Sequence, residues 1–380
     1  MNGLPIARIA GIEIRVQLGW VFVVALVAAL AVIELSGAVP SMAIAVQWAL
    51  GGVVGLAFFG SALLHDLGHA FMARRRGVVV DSMLVSFFGG TTIEDPGSTV
   101  ARDDLAIAAS GPLVSTLLGA SLGVLALGIE AGDSEMALAV AQALAVLSVL
   151  NLLIGFVNLI PAYPLDGGRI VRALAWRRTG SLAGGWKAAA TSGRVAGLVI
   201  LTVGIWLVLA GDAANGAMLA LSGWFLNLSS RAIRERLKVE RLLGGVAVAD
   251  AMERDPATIS PNLTVDTLAP QLVARDAPTT TVAVAEHGTV IGMLGALNVR
   301  RLRRAAWATT KVRDVMAVPP RMITLSPGGT LLSAAERLQR SGLDGLPVLD
   351  GTVLVGVLTR RAVSEAVRIR AAAGAAGASK

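Results

Sequence analysis

The sequence predicts an all-α polytopic membrane core with a small interfacial β element, followed by a cytosolic α/β pair of repeated modules. Three observations lead there. Hydrophobic residues make up 54% of the 380 and charged residues 16%, against about 45–50% and about 25% in soluble domains. Over the first two-thirds the apolar residues gather in long runs instead of marking one face of each helix. Beyond Arg241 the composition changes, and a pattern of about 60 residues occurs twice.

A helix needs about 20 apolar residues to cross a bilayer. By that criterion the candidate spans are residues 18–35, 43–64 (running on to Ala73), 105–129, 136–160, 195–210 and 214–228. An even number leaves both ends of the membrane unit on one side. Segments 36–41, 130–135 and 211–213 contain no Lys or Arg. The opposite set carries Arg8, Arg15, Arg74, Arg75, Arg76 and Arg102, then Arg169, Arg172, Arg177, Arg178, Lys187 and Arg194. It ends with Arg231, Arg234, Arg236, Lys238 and Arg241. Basic loop residues stay on the cytosolic side, so the expectation is a multi-pass cell-membrane protein with both termini cytosolic. The net charge of +7 then follows topology and does not mark a nucleic-acid partner. Arg8 and Arg15 precede an apolar stretch without a small-residue cleavage site, so no cleavable signal peptide is expected.

The absence of cysteine excludes disulfides and thiolate chemistry. Any imidazole metal site must draw on His65, His69 or His287. His287 lies in a predicted turn, Glu286-His287-Gly288, where solvation is the expectation. His65 and His69 fall at i and i+4 near the end of the second span, on one helix face and close enough to share a metal. Asp66 lies between them. Ionisable residues in a membrane helix are costly and face a cavity or a partner. Zinc needs a third protein ligand and an open fourth position. Asp166 is the candidate, at the same end of the fourth span, within Asn158-Leu159-Ile160-Pro161-Ala162-Tyr163-Pro164-Leu165-Asp166-Gly167-Gly168-Arg169. Alone, Asp-Gly-Gly is a common turn. Yet two prolines and two glycines at membrane depth imply irregular backbone that lines a cavity or is buried in protein.

These segments carry a resemblance. The chain resembles the site-2 protease family of intramembrane zinc metalloproteases, in the branch that bears CBS modules. That family is known by HExxH in one transmembrane helix and an NxxPxxPLDGG-type motif in another. The second motif is matched in full from Asn158 through Gly168, and the likeness extends through residues 78–90 and Ser110-Gly111-Pro112. It implies that His65, His69 and Asp166 bind Zn2+ and that Asn158 lies beside the scissile carbonyl, donating to the developing oxyanion. It also implies regulated intramembrane proteolysis: hydrolysis of a peptide bond in the transmembrane or juxtamembrane segment of a single-span membrane protein, reached through the lipid bilayer.

One departure concerns the general base, because Asp66 stands where the family has Glu. The shorter carboxylate either performs the proton transfer from altered backbone or marks a proteolytically inactive zinc-binding relative. A second departure is Ser115, where Asn is expected. Residues 78–88 have high β-propensity and form either a strand that pairs with unwound substrate or an ordinary interfacial hairpin. Tyr163 and Phe88 either line the site or pack against it. A CBS-regulated transporter would need ionisable groups along a path or repeated membrane halves, whereas here they gather at one depth.

The expected domains are residues 1–241 for the membrane unit, 246–305 and 311–370 for the two modules, and 371–380 for an unpacked Ala/Gly-rich tail. The repeats open alike, with Val248-Ala249-Asp250-Ala251-Met252 against Val312-Arg313-Asp314-Val315-Met316. They resemble a CBS pair, which implies an adenosine nucleotide ligand, or a homodimer formed through the pair. Nucleotide-binding members tend to carry Thr/Ser-x-x-Asp, with the Asp on the ribose. Here the matching residues are Gly295-Ala296-Leu297-Asn298 and Thr359-Arg360-Arg361-Ala362, with no such carboxylate.

Overall fold

The computed structural model describes residues 3–85, 100–129, 134–254, 256, 258–273, 281–286, 289–317, 323–341, 343–351 and 353–377. They form two compact units, Met1–Glu235 and Arg236–Lys380.

The first unit opens with strands β1 (Leu4–Ile9) and β2 (Ile12–Val16), followed by helices α1 (Gly19–Ala38) and α2 (Ile44–Arg75) and strand β3 (Ser82–Val85). Helices α3 (Ala101–Ile129), α4 (Glu135–Asn158), α5 (Asp166–Thr179), α6 (Leu182–Leu209) and α7 (Ala213–Leu243) follow. Five helices, α1 to α4 and α6, are long and apolar enough to cross a membrane. The sixth expected span lies in α7, which is not among them. Asn215, Ser222 and Asn227 dilute its apolar half, and a basic run begins at Arg231. The helix packs closely on α6. A Cβ on Gly204 of α6 would lie 2.3 Å from the Ala220 nitrogen of α7, and one on Gly223 would lie 2.4 Å from the Leu201 nitrogen. Small residues bring the two backbones together, as membrane helices do in the absence of a hydrophobic drive.

The first hairpin was not expected from the sequence, where Arg8 and Arg15 read as flanking charges. Ile9 pairs with Ile12 across Ala10 (φ 48°) and Gly11 (φ 82°), the two positive φ angles of a two-residue type I′ turn. Arg74, at the end of α2, secures the turn by donating to the Ala10 carbonyl and, at 2.8 and 3.2 Å, to that of Val80. Strand β2 alternates buried Ile12 and Ile14 with Glu13 and Arg15, and runs parallel to β3 in the order β1-β2-β3. Of the β-prone stretch 78–88, Ser82–Val85 forms a strand, residues 78–81 do not, and 86–88 lie outside the described residues. The buried side of the sheet shares one core with Leu67, Ala70 and Ala73 of α2 and Ile107 of α3. It thus braces the turn of α2 that carries the histidines.

In the second unit, β4 (Glu253–Arg254), β5 (Thr258–Ile259), α8 (Val265–Val273), β6 (Thr281–Glu286), β7 (Thr289–Gly295) and α9 (Ala296–Arg300) belong to the first repeat. The second contains α10 (Val312–Val315), α11 (Leu331–Ser341), β8 (Gly345–Asp350), β9 (Val353–Thr359) and α12 (Arg360–Gly377). Their opening arms are exchanged. β4 pairs with β9 of the second repeat, while Ala317 exchanges both backbone bonds with Met293 of β7 in the first. Leu243, Val246 and Val248 accordingly enter the core of the second repeat, and Val312 that of the first.

Candidate metal centre

Two residues of α2 and one of α5 meet at a point. Nε2 of His65 and Nε2 of His69 are 3.3 Å apart, and each lies 3.2 Å from Oδ2 of Asp166. All three residues are buried. The helical spacing accounts for the histidines, since i and i+4 stack on one face. Asp166 arrives differently. Asp-Gly-Gly is not a free turn here but the first turn of α5, with the Gly168 N–H bonded to the Leu165 carbonyl. A Cβ on Gly167 would meet the Ile160 carbonyl oxygen at 2.2 Å, and one on Gly168 the Tyr163 nitrogen at 2.5 Å. The paired glycines therefore let the loop after α4 lie directly on the helix start. A carboxylate in the first turn also suits the positive end of the helix dipole.

Helix α3 holds the imidazoles from the other side. Nδ1 of His69 donates to the Ile107 carbonyl at 2.7 Å, and Nδ1 of His65 lies 2.9 Å from Oγ of Ser115. Because a carbonyl can only accept, the neutral His69 ring carries its lone pair on Nε2, facing the Asp166 oxygen. Two acceptors at 3.2 Å repel unless a cation lies between them. Tetrahedral zinc with bonds of about 2.0–2.1 Å separates its ligand atoms by about 3.3 Å, so the donor set fits that metal. Gly111 packs beneath both rings, where a Cβ would lie 2.2 Å from Nε2 of His69 and 2.6 Å from Nε2 of His65.

Of the other predicted residues, Asp66 lies on α2 between the histidines and Asn158 at the end of α4. Asp66 is partly buried and, among the described residues, takes no hydrogen-bond partner, so both its oxygens are uncommitted. Asn158 ends α4, half-buried, and its amide donates to the Ile154 carbonyl at 3.0 Å. Tyr163 packs edge-on against Trp186, ring centroids 5.7 Å apart. Phe88 and His287 lie outside the described residues. Ser115 was noticed only as a departure from the family pattern, yet it contacts a candidate ligand. Its signal was the Asp104, Gly111, Ser115 stripe of α3, spaced by seven and four residues with polar or small members.

One of the two segments that form the site falls within a family match. The model for peptidase family M50 matches residues 122–203, which include the Asn158–Gly168 motif, and a CBS-domain model matches residues 312–369. A Mycobacterium tuberculosis protein named "Putative zinc metalloprotease Rip3" is 31% identical over 369 residues, covering 97% of this chain and 93% of that one. The chain belongs to the M50, or site-2 protease, family. Among solved structures, the site-2 protease from Methanocaldococcus jannaschii is 27% identical over 61% of this chain and 94% of its own, with a TM-score of 0.39. CBSX2, solved in complex with AMP, is 26% identical over 33% of this chain and 98% of its own, with a TM-score of 0.28. This M50 member is thus a multi-pass membrane protein with a C-terminal CBS domain.

Proposed function

We propose that the chain is an intramembrane zinc endopeptidase that hydrolyses a peptide bond in or beside the transmembrane segment of single-span membrane proteins. The observation that carries this is the convergence of His65, His69 and Asp166 at 3.2–3.3 Å. His65, His69 and Asp166 would hold the metal. Zinc bound there supplies a Lewis acid and lowers the pKa of the attacking water. Asp66 takes the proton of that water and delivers it to the leaving amine. Asn158 offers its remaining amide hydrogen to the carbonyl oxygen as charge develops. β3 lies at the end of its sheet among the described residues, and it would receive an unwound substrate segment as an added strand. With α7 packed on α6 as a sixth span, both termini are cytosolic, as the arginine distribution requires. In the C-terminal pair the polar side chains that would meet a ribose are already bonded internally, which favours a regulatory or homodimer-forming role over an adenosine nucleotide site.

The test is cleavage of tagged single-span reporters by purified, zinc-loaded protein. Wild type is expected to cut, Asp66→Ala to lose about 10²–10⁴-fold in rate while retaining zinc, and His65→Ala to lose both. Rescue of a silent wild type by Asp66→Glu would instead identify an inactive zinc-binding relative, the reading favoured by the short carboxylate. No zinc in wild type sinks the proposal.

A further inference from the structure

Both histidines are held by α3, but Asp166 rides on α5, a helix of 14 residues. Keeping its oxygen 3.2 Å from each imidazole requires that α5 be fixed against α3 to within a few tenths of an ångström, since outer partners that orient ligands set metal affinity. Among the described residues, one polar connection joins the two helices through buried charge. Arg172 of α5 donates from Nε to Oδ2 of Asp104 at 2.9 Å and from a terminal nitrogen to Oδ1 at 2.5 Å. The two side chains are 5% and 3% exposed. The guanidinium also lies against the Trp186 ring of α6, 4.3 Å from its centroid, and Tyr163 packs edge-on against that ring. Tyr163 belongs to the loop that presses on Gly168. The pair therefore ties α3, α5, α6 and the loop before Asp166 together.

We infer that the Asp104–Arg172 pair is a positioning clamp that aligns Asp166 with the two histidines. The inference rests on the metal-site reading above. A buried ion pair contributes little net stability relative to apolar residues of the same volume, whereas a two-pronged guanidinium–carboxylate contact fixes direction as well as distance. Asp104 opens the same stripe of α3 that supplies the Ile107 carbonyl, Gly111 and Ser115. One helix face thereby sets the coordinates of both halves of the site, directly for the histidines and through Arg172 for the carboxylate. Lysine could not replace Arg172, because its ammonium is a point charge without the fork.

The experiment measures zinc affinity by chelator competition and the visible spectrum of the cobalt-substituted full-length protein. The double variant Asp104→Asn/Arg172→Gln removes both charges and leaves neither uncompensated. Its zinc Kd is expected to rise about 10–100-fold, with altered cobalt bands. Val54→Ala, which thins the core of α2 without touching a polar group, is expected to lower the melting temperature and leave both readouts at wild-type values. Should the double variant not fold, Arg172→Lys decides the matter through the same readouts, with a Kd rise of about tenfold or more. Wild-type affinity and spectrum in a folded variant overturn the clamp. A wild type that takes up no zinc overturns the metal reading and the clamp together.

Discussion

In the membrane unit, three polar atoms from His65, His69 and Asp166 face one another at 3.2–3.3 Å, each backed by structure that fixes its direction. In the C-terminal unit, the polar side chains at corresponding strand ends face inward and are spent. Asn298 accepts from the Gly295 N–H at 3.1 Å and donates to the Val315 carbonyl at 3.0 Å. Thr359 donates to Glu253 at 3.0 Å and accepts from the Ala362 N–H at 3.1 Å. Both regions are polar, so polarity alone does not separate a site from a brace. What separates them is whether lone pairs remain unsatisfied and aimed at a common point, because unsatisfied buried acceptors are costly and persist where a ligand completes them.

The comparison breaks most readily at Gly111. A methyl there would stand within 2.2 Å of one candidate ligand atom and 2.6 Å of the other. Gly111→Ala is therefore expected to weaken zinc binding beyond the roughly 100-fold typical of an outer-partner change, read by chelator competition. Near-wild-type affinity would mean the metal is held elsewhere. A smaller effect is expected at Ser115, which orients one ring only. Ser115→Ala should raise the zinc Kd about 10–100-fold, and Ser115→Thr, which retains the hydroxyl, should stay closer to wild type. Equal losses in both variants would assign the effect to packing rather than to the hydrogen bond.

The parts of the site that follow from local sequence were legible, and the parts that depend on other elements were not. His65 and His69 announce themselves through helical spacing, and Asp166 through a motif with two prolines and two glycines. The α3 stripe was silent. Asp104, Gly111 and Ser115 read as ordinary small or polar residues of a membrane helix until α2 and α5 are placed against them. The β1–β2 hairpin was missed because Arg8 and Arg15 suggested a membrane flank, although Ile12, Glu13, Ile14 and Arg15 alternate with strand period. The repeat was plain in the sequence, but the exchange of arms was not. Met252 lies over Gly356 and Met316 over Gly292 in equivalent ways. Each arm would suit either sheet, so pattern alone does not choose between them.

The C-terminal unit sharpens the same comparison with the smallest expected effect. If committed side chains close a site, AMP or ATP should not bind there, because opening it would leave the Val315 carbonyl without its present donor. A ligand present at 100 times its Kd stabilises the folded state by about 2.7 kcal/mol, a shift readily seen in thermal melting of the full-length protein. No shift is expected with either nucleotide. Asn298→Asp supplies the missing ribose carboxylate but gives up the amide donor to Val315, so it is expected to cost about 1–3 kcal/mol of stability and to gain no nucleotide response. A nucleotide-dependent rise in wild type would show that these bonds yield to a ligand, and the distinction between spent and uncommitted groups would then have to be drawn by energy rather than by geometry.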